Sequence, residues 1–188
     1  SGLVGSAVQR KLSSSTLFKS KIITSNRSSL DLRREVDVSN FFSSARPDTV
    51  IVCAATVGGI SANINYPTEF LLDNLQIQNS IFLSSLKFNV KNICFLGSSC
   101  MYPSGISRPI KEDDLLSGPF ETTNEGYALA NTAGLRLCQM IRRQYGINAY
   151  TLIPNNSYGP GDNYDPKFSH VIPSLISKLR IAISNHDD

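Results

Sequence analysis

The chain reads as an α/β protein built on a doubly wound parallel sheet. Three observations predict this. Short apolar runs alternate with stretches of helical spacing along its length. The runs Thr49–Ala55 and Asn92–Leu96 are almost continuously apolar, as in strands covered on both faces. A glycine-rich turn, Gly2-Leu3-Val4-Gly5, enters a helix directly, as in nucleotide-binding folds.

Each element follows from local chemistry. A helix is predicted from Val4 to about Leu12, and Lys21–Thr24 as a short strand. Val38–Ala45 has helical spacing, and Thr49–Ala55 is the next strand. Phe70–Leu86 repeats apolar residues every third or fourth position, and Asn92–Leu96 follows as a strand. Gly126–Tyr145 is a long helix stopped by Gly146. Ala149–Ile153 is a strand ended by Pro154, and His170–Ile183 closes the chain as a helix. The glycine turn lacks a strand to feed it. Ser1 is therefore read as a truncation point, and the first strand as missing from between Lys21–Thr24 and Thr49–Ala55. Residues 1–165 are assigned to a nucleotide-binding domain and 166–188 to the start of a smaller substrate domain, most of which is lacking.

The 188 residues suffice for one domain with a core. Hydrophobic residues make up 41% and charged residues 18%, which fits a globular chain. The net charge of +3 is scattered, with no basic stripe for nucleic acid. No apolar stretch is long enough to span a membrane. Cys53, Cys94, Cys100 and Cys138 form no CxxC pair and have no histidine cluster beside them, so no metal site is expected. Cys53 and Cys94 read as buried thiols, and the pattern suits a reducing cytoplasm.

In a parallel sheet of this kind the functional loops lie at the carboxyl ends of the strands. The loops after Thr24, Ala55, Leu96 and Ile153 should thus face one crevice. Gly2 and Gly5 suit a pyrophosphate at a helix N-terminus, although half a glycine motif also describes an ordinary turn. The usual acid after the second strand is replaced by Ser25-Asn26-Arg27. An arginine there pairs with a ribose phosphate and favours NADP over NAD; a solvated surface arginine is the other reading. Asp31, in Leu30-Asp31-Leu32, either meets the adenine edge or caps the next turn. Ala54 and Ala55, ahead of Gly58 and Gly59, let backbone approach a flat ligand.

Ser98 and Tyr127 carry the chemistry. A phenol can protonate a developing alkoxide during carbonyl reduction while a serine holds the same oxygen. Residue 131 lies one helical turn beyond Tyr127 and faces the same side. Short-chain reductases of nucleotide sugars place a lysine there; this chain has Asn131. A unit charge about 4 Å away is worth up to roughly 4 kcal/mol at an intermediate dielectric, so its loss weakens the acid and loosens the cofactor. Cys100 and His170 form a second candidate pair. A thiol and an imidazole on opposite sides of a ring carbon can exchange a proton alpha to a ketone, though singly each reads as a buried thiol and a surface histidine.

Taken together, Gly2–Ala7, Val57-Gly58-Gly59-Ile60, Asn65-Tyr66-Pro67, Gly97–Pro103, Pro119–Gly134 and Ser169-His170-Val171-Ile172-Pro173 closely resemble the GDP-L-fucose synthase family of the extended short-chain dehydrogenase/reductases. The resemblance runs through nearly the whole chain. It implies a Rossmann-like sheet, NADP(H) as cofactor and a GDP-sugar, GDP-4-keto-6-deoxy-mannose, as substrate. It implies reduction at Ser98, Tyr127 and the position of Asn131, after inversion of C3 and C5 by Cys100 and His170. Cofactor contacts are implied from Gly2, Leu3, Val4, Gly5, Arg27, Asp31, Leu32, Ala54 and Ala55. Others are implied from Gly97, Ser98, Ser99, Asn131, Pro154, Asn155, Asn156, Ser157 and His170, with Lys178 near the nucleotide end of the substrate. A homodimer formed through the helices at Phe70–Leu86 and Gly126–Tyr145 is implied as well. Another nucleotide-sugar epimerase or dehydratase of the same fold is the alternative, as is a catalytically impaired cofactor-binding homologue.

Overall fold

The structure, a computed structural model, describes residues 2–16, 21–165 and 169–185. Its centre is a three-stranded parallel sheet in the order β1 (Thr49–Val52), β2 (Asn92–Leu96), β3 (Asn148–Leu152). The register sets Ile51 beside Cys94 and Cys94 beside Tyr150. Residues alternate across the pleat. Val50, Val52, Ile93, Phe95 and Ala149 therefore face a helical layer made by α2 (Glu35–Ala45), α4 (Pro67–Lys87) and α5 (Glu125–Tyr145).

Each helix starts and stops for a local reason. α2 carries Glu35 and Asp37 in its first turn, where the helix dipole favours anions, and buries Val38 and Phe42 one turn apart. α4 begins with Pro67 at its first position, where a missing N–H costs nothing. Its Phe70, Ile77, Ile81 and Phe82 are buried. α5 ends at Gly146 with φ 70°, a left-handed cap that favours glycine. A Cβ at Gly134 of α5 would sit 2.5 Å from both Gln78 Oε1 and Phe95 Cζ, so a bare backbone lets α5 approach α4 and β2. Burying these apolar side chains contributes roughly 1.5–3 kcal/mol each.

Several expectations need correction. Lys21–Thr24 is not a strand. With no described strand between it and β1, it has no ladder partner and runs as coil. β1 stops at Val52, three residues before the apolar run ends. Among the described residues the side of the sheet away from α4 and α5 is only partly covered: Ile51, Tyr150 and Leu152 remain exposed there. Cys94 is buried there, but Cys53 is only half-buried. A short helix, α3 (Ile60–Asn65), occupies what reads as loop. α1 (Leu3–Ser14) and α6 (Val171–Asn185) match their predicted places within a few residues. Ser1 and residues 166–168, at the expected domain boundary, lie outside the described residues.

Candidate active site

The carboxyl end of β2 positions the first chemical group. Gly97 continues the ladder, its N–H bonding Leu152 O at 2.9 Å. Ser98 then caps a single 3-10 turn, Ser99–Met101, and its Oγ accepts from Cys100 N at 3.5 Å. Met101 is fully buried beneath this turn and anchors it.

α5 supplies the second group. Tyr127 lies in its first turn and packs edge-on against Phe70 of α4, with ring centroids 6.4 Å apart. Burial pushes the phenol up to about 12, the negative form of Cys100 adds to the rise, and Asn131 offsets it slightly. The Cys100 thiol is likewise raised by burial, with the Ser98 hydroxyl working the other way. Ser98, Cys100, Tyr127 and Asn131 therefore interact in one place. Asn131 is buried, and its Nδ2 donates to the main-chain carbonyl of Tyr127 at 2.9 Å.

A small pocket joins this group to the ends of β1 and β2. Ala54, Ala55, Asn74, Gln78, Leu96 and Asn131 line it, and no charged side chain does. Asn74 was not singled out in the sequence, yet it fixes the loop after β1. Its Oδ1 accepts Thr56 N–H at 2.8 Å, and its Nδ2 donates to Thr56 O at 3.0 Å. Gln78 Nε2 donates to Ala130 O at 3.2 Å and ties α4 to α5. A larger pocket around Glu112, Asp113, Arg136 and Gln139 holds none of the predicted site residues.

The glycine turn also reaches this edge. Gly2 caps α1 in extended conformation without a side-chain bond, and the first turn holds no acid, so Leu3, Val4 and Gly5 start a helix suited to an anion. Gly5 packs against the residue that follows β1: a Cβ there would lie 3.5 Å from that of Cys53. The loop after β3 comes to the same turn, since a Cβ at Gly161 would sit 3.4 Å from Ser6 Oγ and one at Gly159 3.7 Å from Leu3 Cδ1. Pro154 is half-buried, while Asn155, Asn156 and Ser157 are exposed and bonded among themselves.

The loop at residues 26–33 gives a mixed result. Asn26 Oδ1 accepts the N–H groups of Ser28 and Ser29, and Arg27 is exposed within that turn. Asp31 makes the turn-capping contact, its Oδ1 accepting Arg33 N–H at 3.1 Å. The Arg33 guanidinium holds the Asp31 carboxyl down to about 2, with Arg27 adding to the effect from a distance. Leu32 packs against the hydrophobic core. His170 and Lys178 are exposed, at the start of and on α6, and among the described residues no hydrogen bond or ion pair joins either to Ser98, Cys100 or Tyr127.

The arrangement has relatives. The NAD dependent epimerase/dehydratase family profile matches residues 1–183. Probable GDP-L-fucose synthase 1 of Oryza sativa subsp. japonica is 46% identical over 182 residues, 96% of this chain and 55% of that protein. GDP-L-fucose synthase of Escherichia coli K12 is 40% identical over 185 residues, 98% of this chain and 57% of that protein. A GDP-L-fucose synthetase from Naegleria fowleri, solved bound to NADP, superposes with TM-score 0.90 at 32% identity, over all of this chain and 61% of that one. The chain thus spans little more than half the length of these relatives.

Proposed function

This chain belongs to the NAD dependent epimerase/dehydratase family, and from that premise we propose that it works as a GDP-L-fucose synthase-like epimerase-reductase. The substrate is GDP-4-keto-6-deoxy-mannose and the hydride donor NADPH. The observation that carries the reading is the meeting of Ser98, Cys100 and Tyr127 at the carboxyl end of β2, because reduction needs the serine and phenol and epimerisation needs the thiol. A 4-epimerase of the same fold would not need Cys100.

The roles divide as follows. Ser98 Oγ holds the C4 ketone oxygen, and Tyr127 delivers the proton that oxygen takes up. Cys100 and His170 exchange protons at C3 and C5 before reduction. The first turn of α1, Ala54, Ala55, Gly97, Ser99 and the loop 154–157 hold the dinucleotide, which supplies the hydride when bound. Arg27 meets its ribose phosphate. Residues 1–165 form the cofactor domain and 166–188 begin the substrate domain. That division is supported by α6, whose Val171, Leu175, Leu179 and Ile183 are exposed and suit further chain packed on it. Lys178 on this helix reaches the nucleotide end of the substrate. Exposed Leu72 and Leu83 on α4 and Leu129 and Met140 on α5 support pairing of these helices in a homodimer. Four free cysteines suit the reducing cytoplasm.

A second reading rests on Asn131. A neutral, buried carboxamide stands where the phenol would need a cation, and the pocket beside it carries no charge. This favours a protein that binds cofactor but reduces slowly. Incubation with GDP-4-keto-6-deoxy-mannose and NADPH separates the two: GDP-fucose appearing in step with NADPH oxidation supports the first, and cofactor binding without turnover supports the second.

A further inference from the structure

We propose that Arg33 is a specificity-determining residue, which selects the phosphorylated dinucleotide indirectly by neutralising the carboxylates of Asp31 and Asp73. The inference rests on the NADP reading above and adds to it a residue that touches no ligand itself.

The geometry is that of a clamp. Arg33 Nε donates to Asp31 Oδ1 at 3.0 Å and its NH2 to Oδ2 at 2.8 Å, a two-pronged pair that suits a guanidinium. The remaining prong, NH1, reaches Asp73 of α4 at 3.3 and 3.4 Å. Thr56 Oγ1 donates to Asp73 Oδ2 at 3.3 Å, in the loop after β1 that Asn74 fixes. Arg33 therefore stitches the 26–33 loop to the carboxyl end of β1, the edge where cofactor is expected.

The charges give the clamp its effect. Arg27 and Arg33 balance Asp31 and Asp73, two cations against two anions. Without Arg33 the cluster carries one net negative charge, and Asp31 is left facing Arg27, with which it already interacts. A ribose phosphate brings a further charge of about −1.5 to −2 into this region, whereas a plain ribose brings none. The repulsion thus falls on NADP and spares NAD. The preference for the phosphorylated cofactor therefore falls.

Calorimetric titration with NADPH and NADH gives the ratio of the two dissociation constants. Arg33→Met should lower the preference for NADPH by roughly tenfold at low salt, because the uncompensated charges act over one Debye length. Arg33→Lys, which keeps the charge and loses the fork, should keep most of it. The decisive variant is Arg33→Met with Asp31→Asn. Restoring the balance should restore the preference, since the two residues are coupled. Asp31→Asn alone, in a fold that keeps its loop, should raise it. An unchanged ratio in Arg33→Met overturns the proposal. So does a double variant as poor as the single, which would mean that Arg33 touches the phosphate directly. Equal loss of both cofactors, with a lowered melting temperature, overturns it in favour of a purely structural clamp. A parent protein that prefers NADH would defeat the NADP reading instead, while the direction of these shifts would still decide the role of Arg33.

Discussion

Asn131 spends its side-chain amide on the main-chain carbonyl of Tyr127, at 2.9 Å, inside the helix that carries both. The position proposed to poise the phenol thus gives its amide to its own helix backbone. The phenol above it is pushed up to about 12 by burial and by Cys100, and only slightly relieved by Asn131. At neutral pH it is a fully protonated but weak acid. The two half-reactions proposed for this site should therefore be affected unequally.

Asn131→Lys should accelerate hydride transfer by a large factor, each 1.4 kcal/mol of barrier recovered being about tenfold in rate. Stopped-flow NADPH oxidation measures it. Fast reduction by the Asn131 protein, unchanged by the lysine, would show that another cation has taken the role. Lys111, Arg136 and Lys167 would be tested next. Arg136 is bonded to Gln139 on the outer face of α5, Lys111 caps the turn at Glu112–Asp114, and Lys167 lies outside the described residues.

Arg27→Ala should lower NADPH affinity while leaving NADH affinity little changed. Arg27 stands exposed in the Asn26–Ser29 turn, where an acidic residue would otherwise select NAD. Titration of both cofactors checks this, and a variant that keeps its NADPH preference removes Arg27 from the account.

Alkaline stability should report Tyr127. Its folded value of about 12 exceeds the ordinary 10, so the folded state retains a proton that the unfolded state loses. The contribution is complete below pH 10 and disappears as pH rises through 12, worth up to roughly 3 kcal/mol across that window. Tyr127→Phe should flatten the loss measured by denaturant melts between pH 10 and 12.

Gly134→Ala tests the packing that seats the site. Alanine is the better helix former by about 1 kcal/mol. Its methyl would lie 2.5 Å from both Gln78 Oε1 and Phe95 Cζ, and overpacking of that kind costs about 1–3 kcal/mol. The steric term should win because Phe95 is buried on β2 and cannot retreat. A lower melting temperature is expected.

Much of this was legible in the sequence, where local signals agree. β2 appears at its predicted bounds because a buried strand needs only its own apolar run. α5 is set by its small-residue stripe and by Gly146. The sequence pairs Ser98 with Tyr127 and Cys100 with His170; the structure sets Ser98, Cys100 and Tyr127 together, and among the described residues no bond joins His170 to Cys100. What was illegible depends on partners distant in sequence. Lys21–Thr24 has strand composition but, among the described residues, no strand to pair with. Arg33 reads as one more surface arginine until α4 brings Asp73 to it from 40 positions away. Asn74 looks like a polar break in an apolar stripe, yet it bonds Thr56 twice. α3 is six residues long, too short for periodicity to register.

The central claim is that Cys100 takes part in proton exchange beside a ketone while Tyr127 serves the reduction. The measurement that tests it most directly is NMR of GDP-4-keto-6-deoxy-mannose incubated in deuterated water with the protein and NADP, where no reduction can follow. Deuterium should enter at C3 and C5, persist in Asn131→Lys and in Tyr127→Phe, and vanish in Cys100→Ser. Absence of exchange in both the parent protein and Asn131→Lys, or exchange undiminished in Cys100→Ser, would contradict it.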